Sequence, residues 1–317
     1  MKFEIVIATY NRPGLLKLAL QSVANAKLPD DMALRIIVAD NNSKTENQIA
    51  YRAVVEQFSN LRIDYLFEAR QGKSWALNTA IDHCVGDYVG FIDDDEKIDA
   101  EWLEVCAKHI RYGKFDYVGG PYKPDWAAKA PNWLPVHVGK YRAVLGWIEQ
   151  SELPVSFDHF GGGLCGGNFI CRRDALTELG GFSTSVGRSA NNLMGGEDDE
   201  LHRRLKAEGR TGLYDPALII FHHIPASRMT RKYHLRWAFW SGASNGVRLN
   251  WLPPEQTPTV LGLPRYRFSQ ALKGIADFLG NLVPITPLSR PKSFTGLLDF
   301  VYFLGALYGR HFIAVEK

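Results

Sequence analysis

Short apolar runs alternate with amphipathic stretches through the first 120 residues. FEIVIAT (3–9), ALRIIVAD (33–40), LRIDYLF (61–67), DYVGFI (87–92) and FDYVGG (115–120) read as five strands. Residues 13–26 read as a helix, with Pro13 in its first turn and Leu15, Leu16, Leu18 and Leu20 on an apolar face. NNSKTEN opens a second helix, with Ser43 or Thr45 as caps, and residues 72–84 and 100–112 supply two more. Strands alternating with helices predict an α/β fold, a mostly parallel central sheet flanked by helices.

Beyond residue 120 the rhythm breaks. Residues 121–160 are rich in Trp and Pro (PDWAAKAPNWLP) and read as an insertion or long loop over the sheet, the kind of segment that serves as a lid or binding element. GGGLCGGNFICRRDALTELGGF resumes with a strand and a helix framed by glycines. GGEDDELHRRLKAEG (195–209) is a helix with an acidic start and a Gly stop, an order that suits the helix dipole. TGLYDPALIIFHH gives two short strands, and residues 230–245 an aromatic, basic helix.

A Pro-rich connector (250–264) leads to two apolar, Gly-broken helical stretches, 266–283 and 294–310. The second contains FVYFLGALYG, bracketed by Asp299 and Arg310 too closely for a transmembrane helix of about 20 residues. It suits an interfacial or self-association helix. The organisation expected is a domain over 1–249, with a nucleotide-binding half (1–120) and an acceptor and catalytic half (121–249), then a basic, apolar helical extension over 250–317.

Composition adds a polarity to this picture. Hydrophobic content of 46% with 22% charged residues is that of a soluble globular chain. The net charge of +3 is unevenly spread: residues 226–317 carry twelve Lys/Arg against four Asp/Glu, a balance of +8, which leaves −5 for the rest. A basic tail on an acidic body points to an anionic surface or ligand. Four cysteines form no CxxC pair and suggest neither a zinc site nor a disulfide framework. The first apolar run is too short for a signal peptide, so the expected location is cytoplasmic.

The candidate chemistry lies at the strand ends, where ligands of open α/β sheets bind. Asp93, Asp94 and Asp95 follow the fourth strand, and in an extended segment the side chains of Asp93 and Asp95 share one side. Such carboxylates can hold a divalent cation, and the cation phosphates. Thr9, Tyr10, Asn11 and Arg12 leave the first strand, Asp40 the second, and Arg70 and Lys73 the third. These offer a stacking ring, a carboxylate for base or ribose, and cations for phosphates. No GK[ST] follows the glycines at 161–163 and 166–167, and GxGxxG is absent after the first strand, so neither a Walker nor a dinucleotide motif is present.

IVIATYNRPGLLKLALQS, IIVADNNS, GKSWALNTAI, DYVGFIDDDEKID, GGNFICRRDALTELGGF and GGEDDELHRRL together resemble the inverting family 2 glycosyltransferases of the GT-A nucleotide-diphospho-sugar transferase fold. The resemblance covers residue 3 to about 245, with the motifs in family order. It implies a nucleoside-diphosphate sugar as donor (UDP-sugar favoured), Mn²⁺ or Mg²⁺, and direct transfer to a hydroxyl of a glycan or lipid-linked acceptor. Thr9 and Tyr10 would border the base, Asp40 read base or ribose, and Arg70 and Lys73 lie near uracil or phosphates. Asp93 would meet ribose or metal, and Asp95 the metal; Asp94, between them, is donor-facing or structural.

The family's Glu-Asp motif maps to Glu197 and Asp198. A sugar hydroxyl is a poor nucleophile, so a carboxylate base is needed. Asp198 is the expected base and Glu197 the residue that orients the acceptor. Asp199 and Glu200 turn away by about 100° per residue. Either His222 or His223 would complete the metal's coordination. Arg236-Trp237 matches part of a motif of processive members, but Tyr233 stands in place of its Gln, so single-sugar transfer is expected. The expected partners are the donor, the acceptor, an anionic membrane in peripheral contact at its inner face and a second copy of the chain, with no nucleic acid. Two competing readings are a nucleotidyltransferase and an inactive nucleotide-sugar-binding protein.

Overall fold

Seven consecutive buried residues make β1 (Lys2–Thr9) the spine of the sheet in the computed structural model, which describes residues 1–131, 133–134, 139–158, 163–185, 193, 195–249, 258–281 and 289–313. β1 pairs in parallel with β2 (Ala33–Asn41) on one edge. Both faces of β1 are apolar because both are covered. Phe3, Ile5 and Ile7 pack with Leu16 and Leu20 of α1 (Pro13–Asn25) and Tyr51 of α2 (Thr45–Glu56). Val6 and Ala8 face the other way, onto Ala76, Leu77 and Ala80 of α3 (Lys73–His83), while β3 (Ile63–Glu68) extends the sheet beyond β2. Leu18, expected on the apolar face of α1, is instead 47% exposed, since the buried positions run Leu16, Ala19, Leu20, Val23. The expected caps of α2 are also not used: Lys44 is the N-cap, and the Ser43 hydroxyl accepts from the Asn11 N–H instead.

β4 (Tyr88–Asp93) lies on the other edge of β1, and β5 (Glu96–Ile98) follows after a turn through Asp94 and Asp95. Then come α4 (Trp102–Tyr112), β6 (Tyr117–Gly119), β7 (Tyr122–Trp126), α5 (Gly139–Val144), β8 (Val155–Ser156), β9 (Phe169–Arg172) and α6 (Arg173–Glu178). The segment expected to be an insertion or loop thus carries regular elements. α7 (Glu197–Ala207), β10 (Gly212–Tyr214), β11 (Ile220–Ile224), α8 (Arg231–Arg248), β12 (Thr259–Val260), β13 (Leu263–Pro264), α9 (Arg265–Gly280) and α10 (Ser289–Phe312) complete the chain. The main sheet has the order β3-β2-β1-β4-β9-β6-β10-β8. β9 runs antiparallel to both β4 and β6, and β8 antiparallel to β10, so the sheet is mostly parallel with one reversed strand at its centre and one at its edge. β5, β11 and β7 form a second, smaller sheet.

The chain divides into two compact units. The first comprises Met1–Asp125, Gly146–Ala190 and Glu197–His223 and contains the large sheet. The second comprises Trp126–Leu145, Asn191–Gly196 and Ile224–Lys317. Within it, α8 packs on α10 backbone to backbone. A Cβ at Gly242 or Gly246 would overlap carbonyl oxygens of Tyr302 or Ala306, and one at Gly305 or Gly309 those of Phe239 or Ala243. Among the described residues no helix is long and apolar enough to cross a membrane.

Candidate active site

The triple aspartate faces two cations of its own chain. Arg12 approaches Asp94 Oδ1 at 2.6 Å and Asp95 Oδ2 at 3.3 Å. Lys73, the first residue of α3, places Nζ 2.7 and 2.9 Å from the two oxygens of Asp93. Asp94 is 1% exposed and also accepts from the Thr9 hydroxyl at 2.7 Å. Burial pushes its carboxyl up to about 7, against the pull of Arg12 and with the push of Asp95. It ties the end of β1 to the end of β4.

Glu96, which sequence reasoning passed over, joins Asp93 and Asp95. Each of the three offers an oxygen, and all of these lie within 4.8 Å of one another. Burial, then the charges of Asp93 and Asp95, raises Glu96 well above the ordinary carboxylate range. Three carboxylates this close stay ionised together only beside positive charge. Hard oxygen donors in such a cluster fit Mg²⁺ or Mn²⁺. The signal for Glu96 was its place in DDDE: the turn folds β5 back and brings its first residue to the end of β4, where Glu96 Oε2 accepts the Asp93 N–H at 2.7 Å.

The two histidines part because β11 alternates its faces. His222 is buried, stacks on Tyr122 and sets Nε2 3.8 Å from Asp95 Oδ2. His223 points the other way, with Nδ1 3.5 Å from Asp125 Oδ2, although its backbone N–H donates to the Asp95 carbonyl at 2.8 Å. Of the pair, only His222 directs its ring at the carboxylate cluster.

Asp198 lies in the first turn of α7, beside the glycine loop before β9. A Cβ at Gly166 would overlap its carboxylate, and one at Gly167 would overlap the carboxylate of Glu96. The loop therefore approaches both acidic groups as closely as a bare backbone allows. It is fixed from behind by Asn168, fully buried, which accepts from Trp102 Nε1 at 2.9 Å and donates to the carbonyls of Pro121 and Leu218 at 2.9 and 2.7 Å. Asp198 Oδ1 and Glu197 Oε2 are buried with no hydrogen-bond partner among the described residues. Burial, then the charge of Glu197, raises Asp198 well above the ordinary carboxylate range, opposed by Lys73. A carboxylate in this state is a stronger base than one in water.

At the first strand ends the groups are more framework than open surface. Asp40 is fully buried, accepting from the Ser43 N–H at 3.0 Å and the Tyr65 hydroxyl at 2.6 Å. Asn11 adopts a left-handed conformation (φ 54°), and its side-chain oxygen accepts from the Lys44 N–H and Asn47 Nδ2, both at 2.9 Å. Thr9 is buried against Asp94. Tyr10 is 36% exposed, the open ring of the group. Arg70 forks onto Glu68 at 2.8 and 2.6 Å and lies 3.9 Å above the Trp75 ring. Its side-chain hydrogen bonds bring Glu68 down to about 2, against the opposing effect of burial. Glycines 161 and 162 lie outside the described residues.

A family model described as Glycosyl transferase family 2 matches residues 4–180. The chain is 28% identical over 250 residues to the succinoglycan biosynthesis protein ExoM of Rhizobium meliloti, covering 78% of this chain and 74% of that one. It is 23% identical over 327 residues, 97% of each chain, to the glucosyl-dolichyl phosphate glucuronosyltransferase of Haloferax volcanii. Among solved structures it matches the mannosyltransferase PcManGT of Pyrobaculum calidifontis, in complex with GDP-Man and Mn²⁺. The TM-score is 0.65 at 16% identity, over 97% of this chain and 86% of that one, a likeness of fold: the GT-A fold.

Proposed function

The chain belongs to glycosyl transferase family 2 and is a glycosyltransferase; from that premise we propose that it transfers one sugar, with inversion, from a nucleoside-diphosphate sugar to a hydroxyl of a glycan or lipid-linked acceptor. Membership sets the nucleotidyltransferase reading aside. The observation that carries the proposal is Asp198: a buried carboxylate oxygen, unpartnered among the described residues, against the bare backbone of Gly166, in the same compact unit as the three-carboxylate cluster.

In this reading Asp198 removes the proton from the acceptor hydroxyl as its oxygen attacks the anomeric carbon. The nucleoside diphosphate leaves from the opposite face, which inverts the centre. Glu197 orients the acceptor. Asp93, Asp95 and Glu96 would hold the divalent cation, with His222 as a further ligand, and the cation would neutralise charge on the departing diphosphate. Lys73 and Arg12 supply positive charge beside the cluster. Tyr10 stacks on the base, while Asp40, Asn11 and Thr9 hold its strand end in shape.

A UDP-sugar remains the favoured donor, although the mannosyltransferase of like fold binds GDP-Man. The relatives' names, a polysaccharide biosynthesis protein and a transferase of a dolichyl phosphate, support a glycan or lipid-linked acceptor. Such an acceptor fits a cytoplasmic protein in peripheral contact with the inner membrane face. Release of nucleoside diphosphate from a panel of nucleotide sugars, with Mn²⁺, Mg²⁺ or EDTA, tests the proposal. Turnover of no sugar nucleotide, or turnover unaffected by EDTA, would reject the donor class or the metal respectively.

A further inference from the structure

Arg12 and Lys73 neutralise the triplet in different ways. Arg12 makes its shortest contact with Asp94, the one aspartate outside the converging cluster, and so anchors the turn. Lys73 sits on both oxygens of Asp93, a member of that cluster. A cation held by Asp93, Asp95 and Glu96 needs an oxygen that Lys73 now occupies. The side chain of Lys73 is 19% exposed, so a movement away from Asp93 has an outlet.

We propose that Lys73 is the resident counter-ion of the cluster, and that an incoming divalent cation displaces its ammonium from Asp93, freeing it for the anionic diphosphate of the donor. This rests on the metal reading above and adds an order to it: the cation first, then Lys73 on phosphate. Two cations compete for one carboxylate and repel each other, so removing the resident positive charge strengthens binding of the incoming one. For groups a few ångströms apart in a partly buried site the gain is about tenfold or more.

The test uses the full chain. Mn²⁺ binding is measured by the spin-resonance signal of the free ion, and acylation of each lysine by mass spectrometry with and without Mn²⁺. Saturating Mn²⁺ is expected to raise acylation of Lys73 several-fold and to leave other lysines unchanged. Lys73→Met is expected to bind Mn²⁺ about tenfold tighter, and Lys73→Arg to bind it as the wild type does. Unchanged acylation of Lys73 at saturation, or equal or weaker binding by a folded Lys73→Met, would overturn the proposal. If Lys73→Met does not fold, the acylation of the wild-type chain decides. Absence of Mn²⁺ binding by wild type and variant alike would overturn the metal reading itself, and this inference with it.

Discussion

Gly166 faces the carboxylate of Asp198 so closely that a methyl group on its Cα would overlap both oxygens. With Asp198 as the proposed base, the relationship makes a glycine part of the proposed acceptor side without giving it any chemistry. Gly166→Ala is expected to push the carboxylate aside and lower kcat about a hundredfold, since misplacing a reacting group by about 1 Å costs that much. Nucleotide affinity, measured by calorimetry, should stay within about threefold. A variant with wild-type kcat would show that the carboxylate has room to spare.

Asp198→Asn removes the proposed base and keeps the shape. Transfer should fall about 10³-fold, within the usual range for general bases, while donor binding persists. The wild-type pH profile offers a second check. Burial and Glu197 raise the Asp198 carboxyl, so its basic form accumulates as pH rises through that raised value. The acid limb of kcat/KM should therefore lie above the ordinary carboxylate range, near pH 4 in water. An acid limb at or below that range, or wild-type transfer by the variant, would exclude this residue as base.

Glu96→Gln addresses the proposed ligand that sequence reasoning passed over. The amide oxygen can still accept the Asp93 N–H, so the turn should hold. The lost charge should weaken Mn²⁺ binding about tenfold, whereas Asp95→Ala should abolish it. Equal Mn²⁺ affinity in Glu96→Gln and wild type would remove Glu96 from the set.

His202 makes stability depend on acid. Its ring lies edge-on to Tyr117 and Phe157, at 5.5 and 5.0 Å between centroids, and is 7% exposed. Burial, then the charge of Lys206, brings it down to about 4 from 6.5. Between these values the unfolded chain binds the proton and the folded chain does not. Stability is then full above pH 6.5 and falls as pH drops toward 4, by on the order of 3 kcal/mol. His202→Phe should flatten that fall in urea denaturation at stepped pH. An equally steep fall in the variant would place the acid-sensitive group elsewhere.

Much of this was legible beforehand, and the gaps have physical causes. The strands and helices before residue 120 follow from apolar periodicity, because their cores form from neighbouring segments. β9 entering between β4 and β6 is a pairing of distant segments, which local pattern does not encode. Asp93, Asp95 and Asp198 stood out as carboxylates at strand or helix ends. Glu96 did not, because its place depends on a turn that reverses the chain after Asp95. The choice between His222 and His223 needed the register of β11 against β5, which pairs His222 with Glu96. Asp40 looked open at a strand end, but Tyr65 from the next strand covers it.

The last prediction concerns the second unit. On α10, Leu304, Tyr308 and Phe312 recur every four residues, share one face and are 42, 40 and 76% exposed. Phe239 and Trp240 of α8 pack against Tyr308. The unit is strongly basic while the other is acidic, with Lys292 and Arg310 on α10 itself. An apolar helix face with cations nearby is suited to an anionic lipid surface, where apolar burial and charge attraction add. Leu304→Glu with Phe312→Glu replaces exposed side chains, so thermal stability should change little. Binding to vesicles containing phosphatidylglycerol should fall at least tenfold, as expected for losing an apolar anchor of about 1.5–3 kcal/mol. Undiminished binding of the double variant would place any membrane contact elsewhere, and a shift from dimer to monomer without loss of vesicle binding would assign the face to a second copy of the chain.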